Sequence, residues 1–157
     1  MVRRMLGLAV IGASLAAPAA AAEIGRIKSA IGTATVERNA APIPAAVGLD
    51  LMPGDWLETG KDGRMSLTFK DDTRFSVGPD SRIALTKFDY DPTTQAGSFI
   101  AEVQRGSIAV VSGRITKTRC GGQEAKADAP CGAGMEVKTP KTTLAVRGTR
   151  FIITVPR

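Results

Sequence analysis

The residues that perform most protein chemistry are scarce in this chain. Its 157 residues include no His and two Cys, Cys120 and Cys131. His is the commonest general base and the commonest metal ligand, so His-dependent catalysis and zinc sites built from Cys and His are excluded within one chain. The sequence contains neither a G-x-S-x-G nucleophile elbow nor a G-x-x-x-x-G-K phosphate loop. We therefore expect no catalytic residue, no metal site and no cofactor.

Two pairs of closely spaced carboxylates remain as candidates for chemistry. Asp71 and Asp72 are adjacent, and Asp89 and Asp91 lie two positions apart. A calcium loop also needs a Gly and a distant Glu at fixed offsets, and neither stretch has them. Acid–base catalysis by paired carboxylates is the alternative. Because Asp commonly bonds its own backbone in turns, the preferred interpretation is turn capping.

The two cysteines enclose ten residues rich in Gly, Ala and charge. In an oxidising compartment, Cys120 and Cys131 are expected to form a disulfide. The Cys-x-x-Cys spacing of redox-active pairs is absent, so a structural clasp over residues 120–131 is the preferred interpretation. In the chain-entropy model it would stabilise the fold by about 3 kcal/mol at most. A protruding loop of this kind is also a candidate recognition element.

The elements that would position these residues are strands. From Gly63 onward apolar and polar residues alternate, with apolar residues at Met65, Leu67, Phe69, Phe75, Val77, Ile83 and Leu85. Two sets recur eight residues apart: Leu67, Phe75 and Ile83, and Phe69, Val77 and Leu85. This pattern is typical of short strands joined by tight turns. Similar short strand-like segments precede and follow this stretch of the sequence. Together they predict a single all-β domain of roughly ten to twelve short strands. A sandwich and a rolled, solenoid-like meander both fit.

Four local expectations follow from the same pattern. Pro42 and Pro44 place their segment in a loop or an edge strand. Arg105-Gly106 is expected to turn a hairpin between two strands. The apolar run at residues 108–111 is expected to be buried on both faces. With only 4% aromatic residues, the core is expected to rely on Ile, Leu, Val and Ala.

The first 22 residues have the features of a secretory signal peptide. Two Arg precede a mostly apolar run of thirteen residues, and small residues lead to the predicted cleavage point between Ala22 and Glu23. The run is too short for a stable membrane span. A membrane anchor or a buried core helix is the alternative. We therefore expect residues 23–157 to be an exported, periplasmic domain without a membrane span.

The charge of the mature chain is uneven. Residues 23–100 carry nine basic and eleven acidic residues, whereas residues 101–157 carry ten basic and four acidic residues. The basic part would suit an anionic partner such as lipopolysaccharide, an acidic protein surface or a polyanion. A solvated basic edge is the alternative. Nucleic acid is not expected, because one Trp and one Tyr leave few stacking platforms.

Several segments together resemble the FecR domain, the periplasmic half of the iron-dicitrate regulator family. Their order and spacing carry the resemblance, which covers roughly residues 25–155. The segments are Gly25-Arg26-Ile27, Gly32-Thr33-Ala34-Thr35-Val36, residues 51–60 (LMPGDWLETG), residues 64–79, Val137-Lys138-Thr139-Pro140 and Val146-Arg147-Gly148-Thr149-Arg150-Phe151.

The resemblance implies an all-β, non-catalytic domain. Full-length regulators of the family join it through one transmembrane helix to a cytoplasmic segment that holds a sigma factor, and they receive a signal from an outer-membrane transporter. This sequence shows neither the cytoplasmic segment nor the spanning helix. We therefore expect a standalone exported form that retains the binding module.

Four residues of the shared motifs have mainly structural interpretations. Gly54 is expected to supply a positive φ or a close approach at a strand end. Asp55 is expected to bond nearby backbone amides in its turn. Gly148 and Thr149 are expected to form a bulge or a corner between two core strands.

Three further residues are candidate partner contacts. Arg147 and Arg150 either face a partner or pair with a carboxylate on a neighbouring strand, and Trp56 is either core or a ligand platform. The sequence predicts a non-catalytic periplasmic interaction module that binds an envelope protein and has a role in envelope signalling. The alternative is a binder of envelope glycan or lipopolysaccharide through the basic C-terminal part.

Overall fold

The computed structural model describes residues 22–115, 134–146 and 150–156. Within these residues the chain forms twelve strands and no α-helix. The strands are β1 Gly25–Ile31, β2 Ala34–Arg38, β3 Ala41–Pro44, β4 Asp50–Leu51, β5 Trp56–Thr59, β6 Arg64–Phe69, β7 Arg74–Val77, β8 Arg82–Tyr90, β9 Gly97–Val111, β10 Gly134–Lys138, β11 Thr143–Val146 and β12 Arg150–Val155. Several predictions concern residues outside the described ranges. They are the signal peptide as far as residue 21, the disulfide between Cys120 and Cys131, and the roles of Arg147, Gly148 and Thr149.

The strands form one curled sheet with two facing halves. Half-sheet I contains β4, β1, β6, β7, the C-terminal part of β9 and β12, in that order. Half-sheet II contains β3, β2, β5, β8, the N-terminal part of β9, β10 and β11. Among the described strands, every pairing is antiparallel except that of β9 with β10. The predicted all-β, single-domain fold is confirmed, and Pro42 and Pro44 lie in an edge strand, β3.

Strand β9 belongs to both halves because it changes direction and phase near Gly106. Val103 and Ile108 are five residues apart, yet both side chains are buried. In a regular strand, residues an odd number apart face opposite sides. The register against β8 shifts by one residue just before Arg105, and Gly106 has a φ of 89°. This irregularity returns the apolar side chains of both parts of β9 to the same core.

The close contact between Gly106 and Ser81 defines this bend. A Cβ atom added at Gly106 would lie 2.4 Å from the Cα of Ser81 and 2.2 Å from its Oγ. The backbone N–H of Ser107 donates to the Ser81 hydroxyl at 3.0 Å, and that hydroxyl donates to the carbonyl of Gly78 at 2.9 Å. The bend is therefore bonded to the turn that connects β7 and β8.

Two local expectations at this strand are wrong. Arg105-Gly106 does not turn a hairpin, because both parts of β9 already have partners on each side and the chain continues as one bent strand. Residues 108–111 are not buried on both faces either. Ile108 and Val110 face the core, whereas Val111 is 37% exposed on the outer face.

The core lies between the two halves and depends on aromatic rings more than its composition indicates. Phe69 and Phe75 of half-sheet I meet Phe88 and Phe99 of half-sheet II. The ring centroids of Phe69 and Phe99 are 4.6 Å apart, and those of Phe75 and Phe99 are 5.3 Å apart. Such pairs add about 0.5 to 1.5 kcal/mol each beyond area burial. The apolar residues that alternate in the sequence are buried around them.

The turn before β5 is anchored by a buried ion pair. The side chain of Asp55 is 1% exposed. It accepts hydrogen bonds from both Nε and Nη2 of Arg38, at 2.8 and 2.7 Å, and from the backbone N–H of Met52 at 2.8 Å. The hydrogen bond to Asp55 raises the pKa of Arg38 above its usual value. This pair positions the first residue of β5, which is Trp56.

Substitution of Gly106 by Ala is expected to destabilise the protein by about 2 to 5 kcal/mol, because it adds a Cβ clash to the strain of a positive φ. The matched control is Gly54→Ala. Gly54 has the same φ of 89° but no atom within 4 Å of an added Cβ, so the cost is about 1 to 2 kcal/mol. Urea unfolding measures both. Equal losses would contradict the role of the Gly106–Ser81 contact.

Substitution of Arg38 by Ala is expected to cost about 3 to 5 kcal/mol, because it leaves the buried Asp55 carboxylate unpaired. Arg38→Lys should fall between the two, since Lys cannot make the bidentate contact. Arg26→Ala is the control: its pair with Asp50 is exposed at 48% and 44%, so the unfolding midpoint should barely move. A wild-type midpoint for Arg38→Ala would show that the pair does not hold the turn.

Candidate functional site

A cluster of charged and aromatic side chains lies on the outer face of half-sheet II. Five residues from four neighbouring strands form it, and we call it the Trp56 cluster: Glu37, Trp56, Glu58, Arg82 and Arg105. In β5 the burial alternates, so that Leu57 and Thr59 face inward while Trp56 and Glu58 are half-buried on the outer face. Cross-strand pairing brings the other members beside them.

Arg82 is the centre of the Trp56 cluster. Its Nη1 lies 3.1 Å from Oε2 of Glu58, and its Nη2 lies 3.3 Å from Oε2 of Glu37. Its guanidinium carbon is 4.7 Å from the centre of the Trp56 ring, which is within the range of a cation–π contact. One guanidinium thus contacts two carboxylates and one aromatic face.

Glu58 extends the cluster to the next strand. Its Oε1 accepts a hydrogen bond from Nη2 of Arg105 at 2.8 Å, while its Oε2 contacts Arg82. The four charged side chains are between 26% and 41% exposed. The cluster is therefore open to solvent but held by several contacts at once, which limits its conformational freedom before any partner arrives.

The chemistry that this arrangement supports is recognition. Trp and Arg are the residue types most enriched at the centres of protein interfaces. Within residues 22–115, 134–146 and 150–156, no group of three His, Cys, Asp or Glu side chains is placed to hold a metal ion. The cluster offers charge and an aromatic surface, arranged on a rigid sheet.

Trp56 and Arg150, two of the candidate partner contacts from the sequence, are not brought together. Trp56 lies on half-sheet II, whereas Arg150 begins β12 on half-sheet I and is exposed opposite Val111. Trp56 is half-buried on the outer face, where it contacts Arg82, and does not belong to the core. Gly54 and Asp55 belong to the turn that precedes it.

The carboxylate pairs contribute to turns and local ion pairs. Asp71 is buried and accepts hydrogen bonds from the backbone N–H and hydroxyl of Thr73. Asp91 accepts a hydrogen bond from the backbone N–H of Thr93 at 2.8 Å, and this bond lowers the pKa of Asp91. Asp72 and Asp89 form exposed ion pairs with Arg114 and Lys87. The contacts of Asp71 and Asp91 agree with the turn-capping interpretation, whereas the contacts of Asp72 and Asp89 are ion pairs.

Sequence reasoning did not identify the charged members of the cluster. Glu37, Glu58 and Arg82 each occupy a polar position in a different strand, and nothing in the local sequence relates them. The signal that would have found them is the pairing order β2–β5–β8, since Glu58 lies directly opposite Arg82 in that register.

Comparison with known proteins identifies the family. The family model described as FecR protein matches residues 55–156, about two thirds of the chain. No curated protein and no solved structure matches the chain. Among the residues described, no helical segment has the length and apolarity that crossing a membrane requires. The match includes Asp55, every member of the Trp56 cluster except Glu37, and β12, and the chain belongs to the FecR family.

Proposed function

We propose that this chain is a non-catalytic interaction module of the periplasm, which binds another protein of the cell envelope in a signalling pathway. The FecR family is a regulatory family, and its domain is typically periplasmic. The observation that carries the proposal is the Trp56 cluster, because it combines a half-buried aromatic ring with an ordered charge network on the outer face of the sheet.

The Trp56 cluster has the properties of an interface centre. Trp56 provides a flat apolar surface, and Arg82 lies against its ring at 4.7 Å. Contacts with Glu37 and Glu58 hold the guanidinium in place. Because these side chains are already ordered, they would lose less conformational entropy when a partner binds than free surface side chains would. The mixed charge favours a partner surface that also carries both signs.

The remaining sequence predictions form part of this proposal. Export through the predicted signal peptide, with cleavage between Ala22 and Glu23, would place the domain in an oxidising compartment where Cys120 and Cys131 form a disulfide. Arg147 and Arg150 stay proposed partner contacts. Binding of an anionic envelope glycan through the basic C-terminal part is a second candidate, since Arg150 is exposed and forms no ion pair among the described residues.

Photo-cross-linking in the periplasm tests the proposed protein partner. A photo-reactive residue at Thr35, which lies directly opposite Glu58 in the sheet, is expected to capture one specific envelope protein. Trp56→Ala and Arg82→Gln should each lower the yield by about tenfold or more, because truncation of an interface centre typically costs 2 kcal/mol or above.

Two controls make this test specific. Lys87→Gln removes the same charge from the same strand, but Lys87 is 52% exposed and pairs only with Asp89 among the described residues, so the yield should not change. A photo-reactive residue at the exposed Thr93 should not capture the partner. Capture of only abundant, unrelated proteins, or a yield unaffected by Trp56→Ala, would contradict the proposal.

A further inference from the structure

The two outer faces of the curled sheet carry different charge. Half-sheet I has five basic side chains, Arg26, Lys28, Arg64, Arg74 and Arg150, and a single acidic one, Asp50. Asp50 lies in the short edge strand β4 and pairs with Arg26 at 2.8 Å. On its outer face half-sheet II has five acidic side chains, Glu37, Glu58, Asp89, Glu102 and Glu136, against four basic ones, Arg82, Lys87, Arg105 and Lys138. An anionic partner is therefore favoured on half-sheet I alone.

A groove of about 380 Å³ crosses the outer face of half-sheet I. Its floor is a row of small side chains from four adjacent strands, followed by one larger residue on the fifth: Ser29, Ser66, Ser76, Ala109 and Ile152. The hydroxyls of Ser29 and Ser66 lie 2.6 Å apart. The small side chains leave a channel that runs across the strands. The row on one side contains Arg74 and Arg150, and on the other side Arg64 lines the groove, which continues over Gly78 and Ser107.

Exposed arginines stand on both rims of this groove. Arg64 lies on one side, next to Ser66 along β6, while Arg74 and Arg150 lie on the other side, both opposite Val111. All three are exposed. Among the described residues none of them forms an ion pair. Their charges remain available to carboxylates of a partner.

The groove also has apolar ends. Ile31, which pairs with Arg64 across the strands, is 64% exposed, and Ile152 at the other end is 74% exposed. Exposed side chains of this size next to unpaired charges indicate a partner that brings both apolar and acidic groups. A purely polar anionic polymer would leave both isoleucines in water, and a flat lipid surface would not enter a channel.

The length of the groove matches an extended peptide. From β1 to β12 there are four strand spacings of about 4.8 Å, so the row measures roughly 19 Å. An extended chain advances about 3.3 Å per residue, so about six residues cover this distance. Such a segment would lie across the strands, with its side chains alternating between the groove and solvent.

We propose that this groove docks an extended protein segment of about six residues that combines acidic and apolar side chains. The carboxylates would contact Arg64, Arg74 and Arg150, and the apolar side chains would cover Ile31 and Ile152. The groove and the Trp56 cluster lie on opposite outer faces. Loss of binding at the groove is therefore independent of loss of binding at the Trp56 cluster, so the two experiments test the two proposals separately.

Selection from a displayed library of random eight-residue peptides tests the inference with the purified protein. The selected peptides are expected to be rich in Asp and Glu together with Ile, Leu and Val. A synthetic copy of a selected peptide, followed by fluorescence anisotropy, should bind more weakly as salt is raised from low to high concentration.

Three variants locate the binding surface. Arg64→Glu with Arg74→Glu should weaken the peptide by about tenfold or more through like-charge repulsion. Ser76→Trp should do the same by filling the groove without a change of charge. Lys87→Glu with Lys138→Glu, two charge reversals on half-sheet II, should leave affinity within about twofold. Thermal unfolding of each variant confirms the fold, and if Ser76→Trp is unfolded the charge pair decides.

Three outcomes would overturn the inference. The first is a selection without enrichment of acidic and apolar residues. The second is a selected peptide that binds the wild-type and the Arg64/Arg74 variant equally. The third is a selection that yields no peptide, while dextran sulfate or phosphatidylglycerol vesicles bind the wild-type protein but not the Arg64/Arg74 variant. That result would assign the outer face of half-sheet I to a glycan or a lipid.

Discussion

The contact between Gly106 and Ser81 is the constraint on which the rest of the molecule depends. It allows one 15-residue strand, β9, to bend, so that odd-numbered residues face the core before the bend and even-numbered residues face it after the bend. Without the bend, the sheet would present the apolar residues of one part of β9 to solvent. With it, β8 and β10 pair with one part of the strand, and β7 and β12 pair with the other.

The bend also explains how a chain with few aromatic residues forms a well-filled core. Phe99 lies on the part of β9 that belongs to half-sheet II, and it contacts Phe69 and Phe75 of half-sheet I. Facing sheets pack about 10 Å apart, a distance that aromatic side chains from both faces fill. The few rings are therefore concentrated where the two halves meet, and the aliphatic residues surround them.

The sequence predicted the local features and missed those that depend on register. Alternation identified the buried faces of β6, β7 and β8, because period-two burial is a local property. The prediction of a hairpin at Arg105-Gly106 was wrong, because a Gly after a polar residue is equally compatible with a turn and with a bulge. The signal for a bulge was the odd spacing of five residues between the apolar Val103 and Ile108, which a regular strand could not bury on the same face. The Glu58–Arg82 pair required knowledge of strand order, which no local pattern contains.

The two outer surfaces share one strand, although they differ in charge. β9 contributes Arg105 to the Trp56 cluster and Ala109 to the groove, four residues apart along the chain but on different half-sheets. The bend between them points the outer side chains of each part in different directions, with the core between the two faces. A partner on one face therefore does not obstruct the other. The same backbone irregularity that closes the core thus gives the domain two separate outer surfaces of different charge.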